Sequence, residues 1–181
     1  MNLANKITII RVMMIPLFMI ILFSSLKYSN YIAAAIFAIA SLTDSLDGYI
    51  ARSRNLVTTF GKFIDPLADK LLVSAALISL VQMDKIPSWI VVIIIAREFT
   101  ITGFRTIAAS EGITIAASPL GKIKTITQLI AIIALLLNNF PFSLVNFPFD
   151  VLMLYVSLFF TVTSGVDYIF RNRHVLKSGD K

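Results

Sequence analysis

An all-α membrane protein with six spanning helices is the fold this sequence predicts, and three observations carry that reading. Hydrophobic residues make up 57% of the 181 and mean hydropathy is +0.87, whereas soluble domains hold about 45–50% apolar residues. The apolar residues gather into six stretches, 7–26, 30–50, 66–83, 87–109, 120–138 and 150–170, each close to the roughly 20 residues a helix needs to cross a bilayer. The basic residues also sort by side. With both termini cytoplasmic, only Lys27 and Lys85 of the sixteen Lys and Arg face outward, as the positive-inside rule requires. No repeat, linker or shift in composition divides the chain, so residues 1–181 read as one membrane-embedded domain.

The first stretch reads as a signal anchor, because its apolar run is long, no small-residue cleavage site follows Leu26, and five more stretches come after it. It opens with Asn5, Thr8 and Arg11 at three-residue spacing, on one helical side. Lys6 and Arg11 also fit long side chains that snorkel to headgroups. The second stretch ends in Asp44, Asp47 and Gly48, and a polar connection, 51–64, leads to Asp65-Pro66, which reads as a helix start. Trp89, beside Pro87 and Ser88, reads as an anchor at headgroup level. The fourth stretch carries Arg97, Glu98 and Arg105, with Glu98 and Arg105 seven apart on one face and so placed to pair. An inner connection, 110–119, contains Glu111-Gly112 and ends in Ser118-Pro119, an N-cap followed by proline at the first helical position. The fifth stretch then begins Gly121-Lys122-Ile123-Lys124-Thr125. The outer connection 139–149 is uncharged and rich in Phe, as an interfacial loop should be, and the tail with Arg171, Arg173, His174 and Lys177 fits an inner segment held by anionic lipid.

Charge inside these stretches is what points to function. A carboxylate at bilayer depth costs roughly 2.5 kcal/mol or more even on insertion scales, yet the chain keeps Asp44, Asp47, Asp65 and Asp69. The sequence has no cysteine and one histidine, His174, so a metal would be held by oxygen, and carboxylates favour a hard ion such as Mg2+ or Mn2+. Asp44 and Asp47 are three apart at the inner end of the second stretch; Asp65 and Asp69 are four apart at the inner start of the third. Two adjacent antiparallel helices would bring both pairs to one depth, as a cluster for one or two ions. Gly48 and Gly61 would leave room for a bulky ligand, and Arg52 could face phosphate through its planar fork. The plainer alternative is that the aspartates balance the basic residues of the inner loop while the glycines serve helix packing. Nucleic acid is excluded as a partner despite the net charge of +6, since the basic residues form no soluble basic face.

The run Asp44-x-x-Asp47-Gly48-x-x-Ala51-Arg52, eight residues, Gly61-x-x-x-Asp65-x-x-x-Asp69 resembles, at every defined position, the signature of the CDP-alcohol phosphotransferase family. That resemblance implies a six-helix membrane fold, usually homodimeric, which moves a substituted phosphoryl group from a CDP-linked donor to an alcohol and releases CMP. It also implies that Asp44, Asp47, Asp65 and Asp69 bind the metal, that Asp69 acts as base on the acceptor hydroxyl, and that Asn5, Thr8, Gly48, Ala51, Arg52 and Gly61 hold the CDP-lipid.

Arg97, Arg105, Lys122 and Lys124, at the inner ends of neighbouring stretches, predict an anion pocket for a phosphorylated acceptor. The Arg-Glu and Gly-Lys-x-Lys-Thr segments resemble the bacterial branch of the family that uses CDP-diacylglycerol and glycerol 3-phosphate, which places the chain in the cell membrane with its site facing the cytoplasm. Other acceptors within the family, inositol phosphate or serine, remain alternatives. A divalent-cation transporter is the alternative from another class, but it wants carboxylates near the midplane and not among Arg and Lys.

Overall fold

Long runs of Leu, Ile, Ala and Phe, punctuated only at their ends, fold as helices because every backbone group can then be satisfied within its own segment. The computed structural model gives α1 (Leu3–Leu22), α2 (Ser29–Ser53), α3 (Thr59–Gln82), α4 (Ser88–Ser110), α5 (Pro119–Leu136) and α6 (Phe149–Arg171), with a 3-10 turn at Phe142–Val145. It describes residues 3–53, 59–110 and 112–173 apart from 114 and 117; within the helices, the side chains at 3–8, 44–53, 59–67 and 69 lie outside the described residues. Among the described residues there is no strand. The six helices correspond one to one with the six predicted stretches.

Three helices end in the same way. Asp84 (φ 56), Gly112 (φ 74) and Asn138 (φ 54) each adopt the left-handed conformation just after α3, α4 and α5. In each case the following amide reaches back five residues: Lys85 N–H to Leu80 O at 3.0 Å, Ile113 to Ala108 at 2.8 Å and Asn139 to Ala134 at 2.9 Å. This is the Schellman arrangement, which satisfies carbonyls that the helix end would otherwise leave open. At the start of α5 the predicted cap is present, with the Ser118 hydroxyl accepting from the Gly121 amide at 3.1 Å and proline at the first turn.

The 139–149 connection is closed by Asn139, whose side chain donates to Phe147 O at 2.7 Å and accepts from the Asp150 amide at 3.2 Å, while Phe142 stacks on Phe149 with ring centroids 4.2 Å apart. Lys85 fastens the neighbouring turn to the end of α5, donating to Leu135 O at 2.8 Å and Asn138 Oδ1 at 2.6 Å. Burial holds its pKa below the usual lysine value, and the Asp150 carboxylate acts in the opposite direction.

The main core joins α1 through α6, with α1 against α2 and α3, and α5 against α2 and α6. Small residues let the backbones approach: Ala33, Ala34 and Ala40 flank Phe37 on α2, and Ala76 sits between Leu72 and Leu80 on α3. Helix α6 is patterned inside out. Its buried face is Ser157, Thr161, Ser164, Gly165 and Tyr168, whereas Tyr155, Phe159, Val162, Val166 and Phe170 are exposed. A water-soluble helix would show the reverse. By length and composition α5 and α6 are long and apolar enough to cross a bilayer, and shorter apolar runs occur at Ile9–Leu22, Ser29–Thr43 and Lys70–Gln82, among the described residues.

Two expectations need correction. Asp65-Pro66 does not start a helix, because α3 begins at Thr59 and both residues lie inside it. Arg11 does not snorkel; it is 3% exposed, on the packed side of α1.

Candidate active site

Helices α2 and α3 carry the aspartates at matched levels. Asp47 lies six residues before the end of α2 and Asp65 six residues after the start of α3; Asp44 and Asp69 are nine and ten residues from those ends. At 1.5 Å of rise per residue these are levels of roughly 9 Å and 14–15 Å, and the two helices pack against one another. The two pairs thus lie at similar distances from the helix ends that the 54–58 connection joins. The side chains of Asp44, Asp47, Gly48, Ala51 and Arg52 on α2, of Gly61, Asp65 and Asp69 on α3, and of Asn5 and Thr8 on α1 lie outside the described residues. Four carboxylates and no thiolate is a donor set that fits a hard divalent cation. Among the described residues no group of three metal-binding side chains occurs.

The basic residues form a cavity of about 470 Å³ where α4, α5 and α6 meet, lined among others by Lys70, Arg97, Arg105, Lys122 and Tyr168. Arg97 Nη2 donates to Ser164 Oγ at 2.9 Å, and Arg105 Nε donates to Tyr168 Oη at 3.0 Å, with its guanidinium 5.6 Å from the ring centroid. The arginines are eight residues apart on α4, about 12 Å of rise, but their partners on α6 are only four apart, about 6 Å. The two side chains therefore converge. Gly165 makes space for this: a Cβ there would meet Arg97 Cγ at 3.1 Å. Ser118 and Gly121 bring the first turn of α5 to the same cavity, and the partial positive charge of a helix N-terminus adds to that of the side chains.

Glu98 is the acid among these bases. It pairs with Lys124 from α5, with Lys70 from α3 at 3.4 Å and with its neighbour Arg97 at 3.2 Å. The pairing with Arg105 that seven-residue spacing allowed is not made, because two turns of helix separate those groups by about 10 Å while Lys124 and Lys70 reach across from adjacent helices. Of the four predicted acceptor-site residues, Arg97, Arg105 and Lys122 line the cavity together; Lys124 is turned to Glu98 and lines a smaller cavity beside it. Sequence reading missed Lys70, Ser164 and Tyr168. Lys70 directly follows Asp69, and Ser164 and Tyr168 are four apart in an apolar helix, so helical spacing could have flagged all three.

The chain belongs to the CDP-alcohol phosphatidyltransferase family, whose profile matches residues 1–163. Its relatives include the CDP-diacylglycerol–glycerol-3-phosphate 3-phosphatidyltransferase of Bacillus subtilis (strain 168), 53% identical with 99% of each chain covered. Proteins of the same name from Rickettsia typhi (36% identical; 92% of this chain, 94% of the relative) and Sodalis glossinidius (34% identical; 97% of each) are also similar.

Proposed function

We propose that this chain is an enzyme of phospholipid synthesis that transfers the phosphatidyl group of CDP-diacylglycerol to glycerol 3-phosphate, giving phosphatidylglycerophosphate and CMP. The observation that carries this reading is the cavity lined by Arg97, Arg105 and Lys122, an anion site with room for a small phosphorylated alcohol, next to the helices that bear the four aspartates. Its cations also speak against cation transport, since they would repel the cargo.

In this reading Asp69 removes the proton of the acceptor's primary hydroxyl as its oxygen attacks the diacylglycerol-side phosphorus. The bond from that phosphorus to the bridging oxygen breaks, and CMP leaves with the electron pair. Asp44, Asp47, Asp65 and Asp69 would hold one or two Mg2+ or Mn2+ ions, which when bound neutralise charge on the pyrophosphate. Asn5, Thr8, Gly48, Ala51, Arg52 and Gly61 hold the CDP-lipid. Arg97, Arg105 and Lys122 fix the acceptor's phosphate, while Lys124 acts one step removed by holding Glu98.

The six helices form one domain that crosses the cell membrane six times, with both termini and the site on the cytoplasmic side; support comes from the charge asymmetry of the loops and from the inside-out patterning of α6. Homodimerisation follows from the family resemblance alone.

The test offers membranes containing the protein CDP-diacylglycerol, Mg2+ or Mn2+, and labelled glycerol 3-phosphate, inositol phosphate or serine in separate reactions. Labelled phosphatidylglycerophosphate from the first alone is expected; label in a serine or inositol lipid would assign another acceptor. Within that assay Arg105→Lys should raise KM for glycerol 3-phosphate about tenfold and leave KM for CDP-diacylglycerol unchanged, because an ammonium keeps the charge but loses the planar fork that binds phosphate and Tyr168 together.

A further inference from the structure

Next to the anion cavity lies a second, smaller one of about 100 Å³ between α2, α3, α4 and α5. The two share Lys70, Glu98 and Thr125 as lining, so they adjoin at the Glu98 ion pairs. The smaller cavity is far below the roughly 300–1,000 Å³ of drug-sized pockets, which leaves room for a few heavy atoms and not for a nucleotide or acyl chains. Val73, Leu77, Ile94, Ile95 and Leu129 make its apolar side, and Ser41, Ser74 and the Glu98 ion pairs its polar side.

Gln128 stands out on that mixed lining by its unmet hydrogen bonds. The residue is 3% exposed, and neither its amide nitrogen nor its amide oxygen has a hydrogen-bond partner among the described residues. A buried amide left open at both ends is costly, and natural proteins rarely carry one without a reason. Gln128 lies three residues beyond Thr125 on α5, a step of about 4.5 Å from the shared wall, which a three-carbon chain can span.

We propose that Gln128 determines acceptor specificity, its amide oxygen accepting from and its amide nitrogen donating to the secondary hydroxyl of glycerol 3-phosphate while the phosphate rests among Arg97, Arg105 and Lys122. A hydroxyl both donates and accepts, and a carboxamide presents the matching pair side by side. This rests on glycerol 3-phosphate being the acceptor. The cavity's size rules the lipid donor out as the occupant.

The experiment compares glycerol 3-phosphate with 1,3-propanediol monophosphate, which lacks only the secondary hydroxyl, using the purified full-length protein with Gln128 and its Gln128→Leu and Gln128→Glu variants. Gln128→Leu should lower kcat/KM about tenfold to a hundredfold for glycerol 3-phosphate and change it less than threefold for the propanediol phosphate, with KM for CDP-diacylglycerol unmoved. Gln128→Glu, which keeps an acceptor oxygen, should fall between. Because the propanediol phosphate reports on the same folded preparation, an equal loss with both acceptors, or no loss with either, overturns the proposal while the acceptor reading stands. A wild-type protein that makes no product from glycerol 3-phosphate overturns both.

Discussion

Asp69→Asn protein is expected to form phosphatidylglycerophosphate about 10²–10⁴ times more slowly than wild type, the usual contribution of a positioned general base. An alcohol is a weak nucleophile at neutral pH, and an amide of the same shape cannot take its proton. Asp69 also belongs to the proposed metal site, so loss of metal must be separated from loss of the base. Raising Mg2+ or Mn2+ to saturation should restore only a small part of the activity if proton removal is the missing step; full recovery would reduce Asp69 to a ligand. The configuration at phosphorus gives an independent reading. Direct attack by the acceptor inverts it, whereas retention would require a covalent enzyme intermediate and would move Asp69, or a neighbouring aspartate, into the role of nucleophile. Wild-type turnover in the variant would remove Asp69 from the chemistry altogether.

The same helices show why the sequence was read well in some places and poorly in others. Hydropathy locates hydrocarbon, not hydrogen bonding. The apolar stretches 30–50 and 66–83 correspond to α2 at Ser29–Ser53 and α3 at Thr59–Gln82, so the helices overrun the apolar borders by three and seven residues on the side that carries the aspartates. Pro66 looked like a boundary because proline removes one donor and crowds the preceding turn, but in membrane helices neighbouring groups can compensate for that loss. Pro16 is likewise tolerated inside α1. That each aspartate pair sits within one helix was legible, because helical periodicity survives an error in helix ends.

Partners across helices were not legible. Glu98 could be matched with Arg105 from spacing alone, yet its partners Lys70 and Lys124 come from α3 and α5, and only the packing order of the helices selects them. Gln128 was invisible for a different reason. One amide in a run of Ile and Leu carries no periodicity, and its significance lies in the hydrogen bonds it does not make.

The largest effect on stability should come from Glu98→Ala. The Glu98 side chain is 18% exposed and faces Lys70, Arg97 and Lys124, so its removal leaves three cations to repel one another in a half-buried space. Breaking a buried ion pair by deleting one partner costs about 3–5 kcal/mol; partial exposure argues for the lower end. At about 2–4 °C per kcal/mol for a chain of this size, thermal unfolding in detergent should begin roughly 6–12 °C earlier. The double variant Glu98→Leu with Lys124→Met should regain part of that loss, because the most buried of the three cations is removed together with the carboxylate while Lys70 and Arg97 stay unpaired. It should not regain activity, since Lys70 and Arg97 would lose the carboxylate that holds them at the cavity wall. If Glu98→Ala instead melts with wild type, the pairs are solvent-screened contacts worth at most about 1 kcal/mol, and Glu98 does not organise the anion cavity.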